Sequence, residues 1–179
     1  MNFKSIGQNV TISPKASIYN PENIEIGNNV RIDDFCILSA GDGGIKIGNN
    51  VHIACYTHLI GAGRIEVDDY AQISSRCSLF SSTDDFSGKY LAGPCCKPEE
   101  RNVFSAPVIL KRFAVLGSGV VLMPSVTIGE GSAVGVNSFV KKSIPDYELW
   151  AGNPAVFIKE RNKPHFFFGE YGTGSSQNN

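Results

Sequence analysis

Eighteen aliphatic residues recur in this chain at a spacing of six. Ile6, Ile12 and Ile18 form one triplet, and Ile26, Ile32 and Leu38 the next. Ile47, Ile53 and Leu59 follow, then Val67, Ile73 and Leu79, then Leu110, Leu116 and Leu122, then Ile128, Val134 and Val140. Six is neither the period of a helix nor the simple alternation of a half-buried strand. It fits a short strand followed by a turn. Three such units close a triangular coil, and stacked coils bury a column of aliphatic side chains on each face. The position two before each repeat residue is also apolar or small, as in Ile24, Val30, Cys36, Val51, Thr57, Ala71, Cys77, Val108, Ala114, Val120, Val126 and Ser132. Side chains alternate along a strand, so both positions point inward. The residues between them, such as Glu25, Arg31, Lys46, His52, His58, Glu66 and Gln72, point out and are polar. Gly27-Asn28-Asn29 and Gly48-Asn49-Asn50 supply corners, because Gly and Asn tolerate a left-handed backbone.

The pattern predicts an all-β fold, a parallel β-helix of about six triangular coils. The step from Val67 to Leu110 holds an insertion, residues 80–107, rich in Ser, Asp, Gly and Pro. A loop of this length inside a compact domain is usually functional. The β-helix domain is expected over 1–145. A C-terminal extension is expected over 146–179, its Gly/Ser/Asn-rich end disordered.

Composition excludes several classes. Sixteen Lys and Arg balance seventeen Asp and Glu, a net charge of −1 with no basic stripe. Nucleic-acid binding needs clustered cations, so no such partner is expected. No run of about 18 apolar residues predicts a membrane span. Met1 to Val10 is polar and has no apolar signal core, and the five Cys follow no metal or disulfide spacing. Free thiols in the cytoplasm are the expectation.

The ordered run Pro107-Val-Ile-Leu-Lys-Arg-Phe-Ala-Val-Leu-Gly-Ser-Gly-Val-Val-Leu-Met-Pro-Ser-Val-Thr-Ile-Gly-Glu-Gly131, continued by Gly135 to Pro145 and by Ala151-Gly-Asn-Pro-Ala155, resembles the hexapeptide-repeat acyltransferases. The likeness is particularly to galactoside and maltose acetyltransferases and to the O-acetyltransferases of surface polysaccharides. The likeness spans about Ile24 to Arg161 and lacks the N-terminal helical segment of maltose acetyltransferases. It implies a left-handed coil, which the period alone would not give. It also implies a homotrimer that binds acetyl-CoA in the groove between neighbouring β-helices and moves the acetyl group to a sugar hydroxyl. No metal is expected.

For the cofactor, the positions matching the family are Ser118, Val136, Lys141, Lys142 and Lys159, with Arg161 and Lys163 as further phosphate partners. Trp150 is expected to pack on the last coil, with stacking on the adenine of the cofactor as the alternative. The base departs from the family pattern. Galactoside acetyltransferases carry a catalytic His in the loop after the fourth coil, and that position here is Asp84. Three sources for the base stay open: Asp84 or Asp85 alone or as a pair, His58 on the outer side of its strand, or a residue not singled out. His52 ranks below His58, and His165 lies in the tail. A carboxylate needs burial or a like-charged neighbour to serve as a base near neutral pH. An amino group on a nucleotide-linked sugar is the alternative acceptor, since an amine asks less of a base. A non-catalytic scaffold is a second alternative. A zinc hydrolyase of the carbonic anhydrase type needs three His around the metal, and His52 and His58 lack a suitable third.

Overall fold

The computed structural model describes residues 2–163. The tail from His165 onward, with its expected disordered end, lies outside the described residues. Short strands follow one another around a triangular prism and stack in parallel on three faces. The first face stacks Ser5–Ile6, Ile24–Ile26, Ile45–Ile47, Ile65–Val67, Val108–Leu110 and Thr127–Ile128. The second stacks Thr11–Ile12, Arg31–Ile32, His52–Ile53, Gln72–Ile73, Val115–Leu116, Ala133–Val134 and Glu148–Gly152. The third stacks Ser17–Tyr19, Ile37–Ala40, His58–Gly61, Ser78–Phe80, Val121–Leu122 and Phe139–Val140.

The eighteen repeat residues fall into three registered columns. On the second face Ile12, Ile32, Ile53, Ile73, Leu116 and Val134 lie directly above one another. From Ile26 onward every one of them is buried, and so are all the residues two before them. The first turn differs: Ile6 is 51% exposed, because among the described residues no strand stacks beneath it. Cys36 and Cys77 belong to this core as free thiols, and burial pushes the Cys77 thiol up to about 11.

Six coils were expected, and a seventh, incomplete turn is present. Ile144 bridges to Ile128, and Trp150 pairs with Val134. The extension therefore begins as coil. It then turns back as an antiparallel strand, Ala155–Glu160, that widens the second face. Trp150 packs against the core and donates from Nε1 to Glu148 Oε2 at 2.6 Å.

Corners differ from the Asn/Gly expectation at several levels. Asn29 and Asn50 do adopt positive φ, but so do Tyr70 and Phe113 above them on the first edge, and Phe35, Tyr56 and Arg76 on the second. A left-handed backbone disfavours bulky side chains. Stacking offsets that cost. Turns repeat at about 4.8 Å, close to the distance at which rings attract. Phe35 and Tyr56 stack at 5.0 Å, and Tyr70 and Phe113 at 5.3 Å.

The insertion leaves the third edge of the prism after the fourth coil. Its neck is a hairpin, Ser82–Asp84 paired with Val103–Ser105. Ala106 N donates to Ser81 O at 3.0 Å, so the two ends of the insertion meet.

Candidate active site

One edge, between the second and third faces, collects small polar residues in a vertical row. Gly119 N donates to Ser75 O at 3.0 Å, and Asn137 N donates to Ser118 O at 2.8 Å. Val136, Ser118, Ser75 and Cys55 thus lie one above another. Beside this row is an open concavity of about 410 Å³ lined by His52, Ala54, Gln72, Ile73, Ser74, Ser75 and Ser118. Ser118 is therefore part of a concave surface. Val136, next to the corner residue Asn137, projects into solvent at 67% exposure.

The other expected cofactor residues divide between two places. Lys159 sits on the antiparallel strand that widens the second face, at the C-terminal end of the same side. Lys141 and Lys142 follow Phe139–Val140 and lie exposed on the third edge. That edge also carries the insertion, two coils lower, with Asp84 and Asp85.

Asp84 and Asp85 have different surroundings. The Asp85 carboxylate closes a turn: it accepts from Ser87 N at 2.6 Å and from Asn102 Nδ2 at 3.0 Å. The Ser87 side chain foremost, and then those two bonds, hold its carboxyl below the ordinary range. Asp84 accepts one backbone bond, from Gly93 N at 3.2 Å, at the hairpin neck. A carboxylate has about four acceptor positions, so Asp84 keeps capacity for a ligand. The two are not a shared-proton pair, because each is committed to a separate partner.

His58 lies on the outer side of the third face, between Ile37 and Ser78. Its Nδ1 is 3.5 Å from Ser78 Oγ, a long contact. His52 lies on a different face, and there the geometry is tighter. Its Nε2 is 2.7 Å from Asp33 Oδ2, and Arg31 Nε donates to Asp33 Oδ1 at 2.6 Å. Burial raises the Asp33 carboxyl, but the His52 and Arg31 bonds outweigh it and leave it below its usual value. Asp33, Ser74 and Ser75 were not singled out from sequence. A signal existed: Arg31, His52 and Gln72 occupy the same outward position in successive coils. Among the described residues no group of three His, Cys, Asp or Glu could hold a metal ion.

The expected site residues thus occupy two edges of the prism. Adjacent edges are separated by a six-residue unit, up to about 20 Å at ~3.3 Å per residue. One chain by itself does not bring Asp84 and Lys141 to Ser118 and Val136.

No family model matches the chain. It is 47% identical over 163 residues to the dTDP-4-amino-4,6-dideoxy-D-glucose acyltransferase of Escherichia coli, covering 91% of this chain and 85% of that protein. Among solved structures it is similar to a point mutant of AntD, an N-acyltransferase from Bacillus cereus, in complex with dTDP and coenzyme A. The TM-score is 0.86 at 50% identity, over 90% of this chain and 86% of that one. Another AntD structure holds dTDP and 3-hydroxybutyryl-CoA. At 19% identity, a hexapeptide-repeat acetyltransferase from Vibrio cholerae shares the coil with a TM-score of 0.60, over 90% of this chain and 76% of that one.

Proposed function

The chain belongs to the hexapeptide-repeat sugar acyltransferases with the left-handed β-helix fold, and from this we propose that it transfers an acyl group from coenzyme A to the amino group of a nucleotide-linked amino sugar. The observation that carries this reading is Asp84. Where galactoside acetyltransferases place a loop His, this loop offers an ionisable carboxylate with unused acceptor positions. A carboxylate is a weak base toward a sugar hydroxyl but a good partner for an amine or ammonium group. The name of the relative at 47% identity and the ligand of an AntD structure at 49% identity support the same acceptor, a 4-amino-4,6-dideoxyglucose on dTDP. The hydroxyl acceptor expected first from the sequence has less support.

Coenzyme A lies along the second edge above Ser118 and Val136, with the lysines as phosphate partners. The assembly is a homotrimer. Its support is the division of the site between two edges, which a neighbouring subunit resolves by laying its third edge beside this second edge. The insertion also exposes Phe86, Tyr90, Leu91 and Phe104, apolar surface that a neighbour would cover. Asp84 of one subunit then faces the serine row of the next. Light scattering is expected to return three times the 19.3 kDa chain mass.

The activity is tested by incubating the protein with acetyl-CoA and dTDP-4-amino-4,6-dideoxyglucose. The expected result is thiol release matched by an N-acylated nucleotide sugar in the mass spectrum. Turnover should exceed that with galactoside or maltose acceptors by at least about a hundredfold, since a site built around one polar group rejects an analogue lacking it. Equal or faster turnover of the hydroxyl acceptors overturns the reading.

A further inference from the structure

The concavity beside Ser75 and Ser118 has a floor that the loop residues do not explain. His52 borders it one coil below Gln72, Ser74 and Ser75 and two coils below Ser118. At about 4.8 Å per coil, the ring lies on the order of 10 Å below the level of Ser118. That gap is the depth of a sugar ring with its substituent. A thioester held at Ser118 and an acceptor held at the serine row would place the reacting nitrogen between Ser118 and His52.

The ring is held by a pair of charges. Asp33 grips Nε2 at 2.7 Å, and Arg31 grips the other Asp33 oxygen at 2.6 Å. The Asp33 side chain is 20% exposed and His52 is 42% exposed. The anchored end is sheltered and the ring remains open to the concavity. An Asp bonded to one imidazole nitrogen fixes the tautomer and orientation and leaves the other nitrogen, here Nδ1, with its lone pair available. The groups facing His52 from adjoining coils are Arg31 and Asp33 below and the neutral Gln72 above. Farther along the corner, Asp34 is occupied by Ser13 and Lys15, and Cys55 contacts Ser75 Oγ at 3.5 Å.

We propose that His52, oriented by Asp33, takes the proton released from the acceptor amine during acyl transfer, with Asp33 and Arg31 as positioning residues. The inference rests on the amino-sugar reading above. The amine lone pair forms the C–N bond at the thioester carbonyl carbon, and the carbonyl electrons move to oxygen. The nitrogen of this adduct carries one proton too many for an amide, and it passes to His52. The oxygen electrons return, the C–S bond breaks, and coenzyme A leaves as a thiolate. The thiolate then takes the proton from the imidazolium, so the products are the amide and the free thiol. Asp84 orients the amine, and the imidazole carries its proton.

His52→Gln and Asp33→Asn are compared with wild-type protein in steady-state acyl transfer to dTDP-4-amino-4,6-dideoxyglucose across pH. Both changes are at the surface, and thermal melts report that the variants fold. In His52→Gln, kcat is expected to fall about 10²-fold, with both KM values within about threefold. The acid limb of the rate profile is expected to vanish, since the group that takes the proton is gone. In Asp33→Asn, kcat is expected to fall about tenfold with both KM values again within about threefold, because the imidazole loses the carboxylate that orients it. A merely structural role leaves that limb in place. Unchanged kcat and pH profile in active variants overturn the inference alone. So does a raised KM for the nucleotide sugar with kcat and limb intact, which would make His52 a binding residue. A wild-type protein that does not acylate the amino sugar overturns the amino-sugar reading, and this inference with it.

Discussion

Excising residues 83–104 and joining Ser82 to Ser105 through Asn-Gly is expected to leave the β-helix folded and to abolish acyl transfer. The ends of the insertion already meet: Ser82 pairs with Ser105, and Ala106 N bonds Ser81 O. Asn-Gly closes such a hairpin with a two-residue turn. No residue from Ser82 to Pro107 is buried, whereas Leu79 and Ser81 before it and Val108 after it are fully buried. In a coil where each turn contacts its neighbours, stability is set by those contacts. The melting temperature should stay within about 5 °C, and calorimetry should still detect coenzyme A. Activity toward the amino sugar should drop at least about 10³-fold, since Asp84 leaves with the loop and the groove loses one wall. Unfolding of the shortened chain would make the insertion part of the scaffold. Retained activity would remove it from the site.

Leu116→Ala should cost about 3 kcal/mol, while Ile6→Ala at the same repeat position should cost less than about 1 kcal/mol. Large-to-small changes in cores cost 2–5 kcal/mol, more where the surroundings do not collapse into the space. Leu116 is fully buried between Ile73 and Val134 in a column whose spacing is set by backbone hydrogen bonds. Those neighbours have little freedom to close the cavity. Ile6 is half in water and loses little on truncation. For a chain of this size, 3 kcal/mol lowers the melting temperature by about 10 °C. Urea unfolding of the two variants decides the point, and equal losses would mean that the first coil is as well packed as the fifth.

The period of six was enough, by itself, to determine the three aliphatic columns, the inward rows beside them and the place of the insertion. It could do so because strand side chains alternate and registered coils repeat their inward positions at constant spacing. Where the spacing changed, the pattern was silent. Ile144 and Trp150 continue their columns, but the step from Ile128 to Ile144 is shorter than the repeat, so the period of six does not reveal the seventh turn. Aromatic corners were missed for a related reason: single-residue preferences disfavour Phe113 at positive φ, and its registered stack on Tyr70 offsets the cost. The site shows the same division. The resemblance to the hexapeptide-repeat acyltransferases implied Asp84, Ser118 and the lysines as candidates. The edge that each occupies, the turn that consumes Asp85 and the bond from His52 to Asp33 were decided by tertiary structure. That bond joins residues 19 positions apart, and it exists because adjacent coils bring outward side chains within hydrogen-bond reach, a distance no linear spacing records.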